Sequence, residues 1–342
     1  MPDYGLSRLT VEISPDDLPT RQSTIWRQAP YPAILHWKGR RSTGHIAFAG
    51  ASTIDDYKKS FDVSSPDFAP RVWRFSAQNI DRSFLRSFIG FSIFQRMGLP
   101  VPKIEPVSVY VNRVYQGLYL AIEPIDEAFF SIRNIPVIAA YKGRFSGYDF
   151  DETIWHRLQD LTPAIVGDSY APMLDLLQWL NDDTPPQLTE ERLDHEQLLS
   201  YLAAAQTLDH FDGFRNNIIL LFHKSDARLS FVPWDLDRIL ERPVPLKIEP
   251  VERLFHENRI YKTLFKDPSL RRQFRHRVDF LQQELQNPQW REGWQNFAKL
   301  IAEAFAADAV LQRAEAPLIQ GEALEHRLMA RIKCILDSLP TD

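Results

Sequence analysis

A second cysteine is missing. Cys334 is the single one among 342 residues, which rules out an intramolecular disulfide and any cysteine-based metal cluster. No apolar run approaches the roughly eighteen residues of a membrane span. Met1-Pro2-Asp3-Tyr4 lacks the basic start and apolar core of a signal peptide, so the expected location is the cytoplasm. A basic excess is missing too: 45 acidic against 40 basic side chains give a net charge of -5. Without a basic tail to release counterions from a phosphate backbone, neither nucleic acid nor a membrane is expected as a partner. Absent motifs exclude further chemistries: there is no His-Glu-x-x-His, no Gly-x-Ser-x-Gly elbow and no Gly-x-x-x-x-Gly-Lys-Ser/Thr loop.

What is present is the make-up of a folded protein, with 44% hydrophobic, 25% charged and 12% aromatic residues, which leaves no room for wholesale disorder. The length exceeds that of most single domains and predicts two packed lobes.

Short β-rich runs open the chain at Leu9–Ile13, Ala33–Trp37 and His45–Ala49, broken by Pro, Gly and polar clusters. A helix follows, with Asp81 as its cap, Leu85, Phe88, Ile89, Ile93 and Met97 at helical spacing, and Gly98 and Pro100 at its end. Val107–Val111 and Gly117–Ile122 then form a hairpin around a turn from Asn112 to Gln116, closed by Glu123-Pro124. After Pro124 the pattern turns helical, at Met173–Leu180, at Glu196–Leu208 and again from about Val251, with a Pro- and Asp-rich break at Asn181–Gln187. One hairpin interrupts it, Ile218–Phe222 with Leu229–Val232 around the turn His223–Arg228. The predicted class is α+β: a sheet-rich lobe with one helix over 1–125, then a mainly helical lobe over 126–342 that carries this hairpin.

The hairpin is where the chemistry gathers. Asp209-His210-Phe211-Asp212-Gly213-Phe214-Arg215-Asn216-Asn217 leads into its first strand, and Pro233-Trp234-Asp235-Leu236-Asp237 leaves its second. A tight hairpin returns the chain to its start, so Asp212, Asn217 and Asp235 are expected to converge at one end. Carboxylates gathered in this way repel unless a cation lies between them. A carboxylate and amide donor set suits a hard ion such as Mg²⁺, or Mn²⁺, completed by phosphate oxygens and water, and that points to a nucleotide. Asp212 and Asn217 also have the catalytic-loop spacing of protein kinases, with His210 two places before the Asp. The bland reading of these residues is backbone capping at a helix end, the role expected of Asp209.

Several segments resemble the spore-coat CotH-type family of atypical protein kinases. Leu9 to Leu18 is similar to its opening strand and Ser-Pro-Asp-Asp-Leu turn, and Tyr57-Lys58-Lys59-Ser60-Phe61-Asp62-Val63 to the basic strand after its glycine-containing loop. Asp81-Arg82-Ser83-Phe84-Leu85-Arg86 with Gly98-Leu99-Pro100-Val101-Pro102, and Tyr110-Val111-Asn112 with Gly117-Leu118-Tyr119, match its middle motifs. Asp212 to Asn217, Pro233 to Asp237 and Leu264 to Phe274 match its catalytic Asp, metal-binding Asn, Pro-Trp-Asp-x-Asp and late helix. Lys38-Gly39-Arg40-Arg41-Ser42-Thr43-Gly44 departs from the family's Arg-Gly-Asn/Ser-Ser, and no Gly-x-Gly-x-x-Gly replaces it.

The resemblance implies a degenerate two-lobed kinase-like fold that moves the ATP γ-phosphoryl group to a Ser or Thr hydroxyl of a protein or peptide. Asp212 would orient the attacking hydroxyl or accept its proton, and Asn217 and Asp235 would hold the metal. Asp237 would bind a second ion or brace the turn. Lys59, or Lys58 in its place, would meet the phosphates, since strand alternation turns the two lysines to opposite faces. Arg86 would reach a phosphate or a carboxylate, or form a solvated helix edge. Glu123 ends the strand at which kinase-like folds contact adenine through backbone groups, with a surface salt bridge as its alternative. Trp234 would pack and fix the Asp235 loop. The competing functions are another ATP-dependent transfer, nucleotidyl transfer or carboxylate activation, and a non-catalytic nucleotide-binding scaffold.

Overall fold

A computed structural model of the chain describes residues 1–14, 30–50, 56–142, 164–167, 169–181, 186–214, 216–242 and 258–339. The Pro15 to Leu18 turn, Arg215, most of the Pro- and Asp-rich break and the expected return to helix near Val251 lie outside them. Two compact units emerge, each discontinuous in sequence. One comprises Met1–Leu85, Pro102–Pro124 and Gly293–Gly321; the other comprises Arg86–Val101, Ile125–Glu292 and Glu322–Asp342. The sequence division has a single crossing at 125/126. In the structure the first helix belongs to the second unit, and a stretch near the C-terminus belongs to the first.

The first unit is a closed seven-stranded barrel. Its strands are β1 (Ser7–Glu12), β2 (Tyr31–Trp37), β3 (Arg40–Ala49), β4 (Ser60–Ser64), β5 (Val72–Ser76), β6 (Ile104–Val111) and β7 (Val114–Ile122), paired in the order β1-β2-β3-β4-β5-β7-β6. The β1·β6 pairing is parallel, and it closes the circuit. Alternation of apolar and polar residues explains the wall: Ala33, Leu35 and Trp37 turn inward from β2 while Pro32 is exposed. Inside, Trp37 meets Phe68, Trp73 and Phe75 edge-on at ring-centroid distances of 5.1 to 5.5 Å, the arrangement aromatic quadrupoles favour.

Two turns are tighter than their sequences suggest. Lys38 and Gly39 have φ of 51° and 73°, and Asn112 and Arg113 have φ of 46° and 69°. Each pair is a two-residue turn of the kind that matches strand twist. Val114 to Gln116, expected in a turn, therefore belong to β7. Arg40 to Gly44, expected in a loop, belong to β3. Gly44 is required there, because a Cβ would lie 2.2 Å from the Ser64 carbonyl oxygen. The Asn112 side chain accepts from the Ile13 amide and donates to the Ile13 carbonyl, both at 2.9 Å, which ties the β6–β7 turn to the end of β1.

The second unit holds a four-stranded sheet of β8 (Val137–Lys142), β9 (Ala164–Val166), β10 (Ile218–His223) and β11 (Leu229–Pro233), in the order β11-β10-β8-β9. Its helices are α1 (Arg86–Arg96), α2 (Glu127–Ile132), α3 (Ala171–Asn181), α4 (His195–Thr207), α5 (Arg259–Leu264) and α6 (Pro268–Gln286). The unit boundaries at 292/293 and 321/322 fall within α7 (Pro288–Ala307) and α8 (Pro317–Ser338). Every residue of α4 from Leu198 to Thr207 is buried, and it packs on α6 and β11 as the central helix of this unit. Asp81 does not cap α1. Its carboxylate takes the Ser83 amide at 3.0 Å and the Ser83 hydroxyl at 2.5 Å, and that hydroxyl accepts from the Leu85 amide. The helix closes at Gly98, whose φ of 79° suits a residue without Cβ.

Candidate functional site

The site is built on the end of the β10–β11 hairpin. Ile218 pairs with Pro233, which sets Asn217 and Trp234 side by side just beyond the ladder. Before Asn217 the chain makes a 3-10 turn at Phe211–Phe214. The Asp212 carbonyl accepts from the amides of Asn216 at 2.9 Å and Asn217 at 3.0 Å. Asn217 in turn donates its side-chain amide to the Asp235 carbonyl at 3.5 Å. Two successive hydrogen bonds thus link Asp212 to Asn217 and Asn217 to Asp235.

That second bond selects the amide orientation. With its nitrogen directed to Asp235, Asn217 presents its oxygen as the donor atom for a hard cation. Among the described residues, no three His, Cys, Asp or Glu side chains are grouped to hold a metal. A cation here would have Asn217, Asp235 and Asp237 as its protein donors and would draw its other ligands from phosphate and water. This fits magnesium, which uses few protein ligands.

Helix α1 holds the carboxylate loop from beneath. Arg86 reaches the Asp237 carbonyl with a guanidinium nitrogen at 3.5 Å. One turn on, Gly90 lets Leu236 approach so closely that a Cβ at Gly90 would lie 2.7 Å from a Leu236 methyl. Residues four apart share a helix face, so Arg86 and Gly90 grip Asp237 and Leu236 together. Asp235, just before them, has φ of 56°, a left-handed conformation that Asp tolerates better than most residues. Gly90 carries no sequence signal of this role, since a glycine within an apolar helix reads only as a small residue.

His210 supports the loop from inside. It is buried, and its Nε2 lies 3.3 Å from the Asn217 carbonyl. A carbonyl only accepts, so this nitrogen carries the ring proton. Burial pushes the His210 pKa down to about 4, against the weaker opposing effects of the Asn217 carbonyl and Asp209. The imidazole is neutral near pH 7. Gly213 makes room for it, because a Cβ there would lie 2.1 Å from the ring.

A family model described as "CotH kinase protein" matches residues 46–313, well over half of the chain. The chain belongs to the CotH kinase protein family. "Inner spore coat protein H" of Bacillus subtilis (strain 168) is 24% identical over 251 residues, which cover 68% of each chain. Among solved structures, the Helicobacter pylori proinflammatory kinase CtkA matches at 11% identity and a TM-score of 0.37, over 82% of this chain and 92% of that one. The Shewanella oneidensis MR-1 HipA, HipB and operator DNA complex matches at 13% identity and a TM-score of 0.34, over 95% and 70%. Neither superposition is close enough to transfer a residue role. Among the described residues, no helix of this CotH-family chain is long and apolar enough to cross a membrane.

The candidates on the barrel unit have different surroundings from those expected. Lys58 and Lys59 lie just ahead of β4, not within it. Lys58 is buried, and its ammonium donates to Asp308 at 2.7 Å, to the Leu118 carbonyl at 2.5 Å and to the Ala77 carbonyl at 3.4 Å. Burial pushes the Lys58 ammonium below the usual lysine range, and the Asp308 carboxylate opposes that shift. Lys59 is half-buried. Glu123 is only 2% exposed and accepts from the Lys103 amide at 2.8 Å, so it does not lie at the surface where its alternative reading put it.

Asp209 is also more than a turn residue in this CotH-family chain. Its buried carboxylate is clamped by the Arg242 guanidinium and lies 3.2 Å from that of Arg331. Arg242 and Arg238 in turn lie over the Phe211 ring at 4.8 and 5.5 Å from its centroid, so cation–π contacts flank the residue next to Asp212. Arg331 is 125 residues beyond Gln206, whose carbonyl it also holds, and no local spacing announces such a pairing.

Proposed function

We propose that this chain is a metal- and ATP-dependent phosphotransferase that phosphorylates a Ser or Thr hydroxyl of a protein or peptide. The observation that carries the reading is the hydrogen-bonded succession of Asp212, Asn217 and Asp235 at one hairpin end. Membership of a kinase family supports it. Asp212 lies at the start of that succession, where it can take a hydrogen bond from the acceptor hydroxyl and align it for in-line attack. As the hydroxyl oxygen bonds to the γ-phosphorus, the bond to the β–γ bridging oxygen breaks and ADP departs. The hydroxyl proton passes to the Asp212 carboxylate.

Asn217 and Asp235 would hold the metal, with Asp237 as a second carboxylate. A bound Mg²⁺ or Mn²⁺ withdraws charge from the phosphate oxygens. Arg86 works through the loop: by holding the Asp237 carbonyl it fixes where the Asp235 and Asp237 carboxylates sit. On the barrel unit the phosphate role belongs in this reading to Lys59 or Lys58, and three protein acceptors surround the Lys58 ammonium. Glu123 anchors the strand end at which backbone groups would meet adenine.

The decisive experiment incubates purified protein with γ-labelled ATP, Mg²⁺ or Mn²⁺ and candidate acceptor proteins. Label transfer and ADP release are expected from the wild type, and neither from Asp212→Ala or Asp235→Ala. Equal transfer by Asp235→Ala would refute the assignment. Release of AMP and pyrophosphate would replace phosphoryl by nucleotidyl transfer. Absence of any melting shift with millimolar metal and ATP would leave a scaffold that binds no nucleotide.

A further inference from the structure

We infer that Lys142, at the end of β8, contacts the transferred phosphoryl group of the nucleotide; the inference rests on the phosphotransferase reading above and deepens it. Three strand ends of the second unit meet at the site. β10 begins after Asn217, β11 runs out into Trp234 and Asp235, and β8 ends at Lys142, which pairs directly with Ile219. Side chains two apart on a strand share a face. Ala140, Ile219 and Val232 lie in one apolar cluster, with Trp234 packed against it. Lys142 therefore emerges on the same face, two residues on from Ala140 and beside Trp234.

The structure shows where its charge is held. The Lys142 ammonium lies 4.8 Å from the centroid of the Trp234 ring, a cation–π contact that favours the charged form and fixes the direction of a flexible side chain. Trp234 is the residue before Asp235. Its ring is thus a platform that presents a half-buried cation beside the carboxylate loop.

The chemistry of the site calls for such a cation. As negative charge spreads over the equatorial oxygens of a transferring phosphoryl group, a fixed ammonium stabilises it more than the ground state. The turn after Asp212 carries one basic residue, Arg215, which lies outside the described residues. At the hairpin end Asp235 and Asp237 are acidic, and Arg238, which follows them, is the nearest cation in sequence. Lys142 adds the opposite sign at that end from a neighbouring strand. Trp234 thereby gains a second role beyond packing: it aims the ammonium.

The test compares binding of two probes, each with Mg²⁺: ADP, and the non-hydrolysable ATP analogue in which NH replaces the β–γ bridging oxygen. Titration calorimetry on Lys142→Gln should show the Kd for the triphosphate raised ~10-fold or more, as expected for loss of a charge-assisted hydrogen bond, with the Kd for ADP within about 2-fold of wild type. Lys142→Arg keeps the charge and should recover most of the loss, and it serves as the probe should Lys142→Gln fail to fold. An unchanged triphosphate Kd in Lys142→Gln, or equal weakening of both probes, would overturn the assignment and leave Lys142 as packing on Trp234. If the wild type binds neither probe, the phosphotransferase reading itself fails and this inference falls with it. If the wild type binds both and Asp235→Ala loses both while Lys142→Gln matches wild type, only the role of Lys142 is wrong.

Discussion

The Lys58 ammonium and the Asp308 carboxylate lie 2.7 Å apart across 250 residues of sequence. Both side chains are almost wholly buried, at 3% and 1% exposure. The carboxylate is satisfied on every side. One oxygen takes Lys58 and the Leu118 amide at 2.8 Å, and the other takes the Val310 and Leu311 amides at 2.8 and 3.2 Å. Gly117 clears the space, since a Cβ there would lie 2.2 Å from Asp308 Oδ2. The pair ties the Gly293–Gly321 stretch to the barrel.

Removing one partner leaves the other as an uncompensated buried charge. Lys58→Met or Asp308→Leu alone should cost about 3–5 kcal/mol. The double replacement should cost clearly less than the sum of the two. Denaturant unfolding of the four proteins completes the cycle, and additive losses would show that the two groups do not interact.

Asp209 predicts an asymmetry between its two arginines. Arg331 is buried, whereas the Arg242 side chain is half-exposed. Arg242→Ala should cost about 1 kcal/mol, because water can replace part of what it gives. Asp209→Ala leaves Arg331 buried without its carboxylate and should cost about 3–5 kcal/mol. Chemical denaturation orders the two variants, and equal losses would refute the difference.

His210 makes stability depend on pH in a defined window. Its pKa is about 4 in the folded chain and near 6.5 when unfolded. Between these values the unfolded state binds the proton more tightly, so stability rises with pH. The contribution is complete above pH 6.5 and lost as pH falls to 4, and it amounts to about 3 kcal/mol at most. His210→Gln should flatten that part of the profile, which unfolding measured at steps from pH 4 to 7 will show.

Gly90→Val should separate loop position from folding. The added methyls press on Leu236, and overpacking of this kind costs about 1–3 kcal/mol. Phosphoryl transfer should fall further than stability does, because the displaced Leu236 directly follows Asp235. A variant with full activity and lowered stability would show that the contact only packs.

Much of the architecture was written in local patterns. Alternation in Ala33 to Trp37 marks β2, and the apolar spacing from Phe88 to Ile93 marks α1, because each repeats the period of its own element. The hairpin at Ile218 and Leu229 was legible too, so the neighbourhood of Asn217 and Asp235 could be reasoned from spacing alone. Turn boundaries were harder. Nothing in Asn112 to Gln116 announces that two successive residues adopt positive φ, and the strand gains three residues as a result. The remaining misses are long-range. Asp308 and Arg331 find their partners from far along the chain, and Asp209 looks like any polar residue at a helix end until the tertiary fold supplies two guanidinium groups.

The parallel pairing of β1 with β6 has a bearing on how an acceptor chain can be recognised. A sheet closed in this way has no outermost strand, so it offers no unpaired row of backbone donors and acceptors for a visiting peptide. Among the described strands the lateral ones are β9 and β11 of the open sheet, and β11 is already met at Leu229 by the Arg192 carbonyl and the Asp194 amide. Beyond Leu229, β11 leads directly into Trp234 and Asp235, so under the proposed function a segment laid along it would run toward the Asp235 loop.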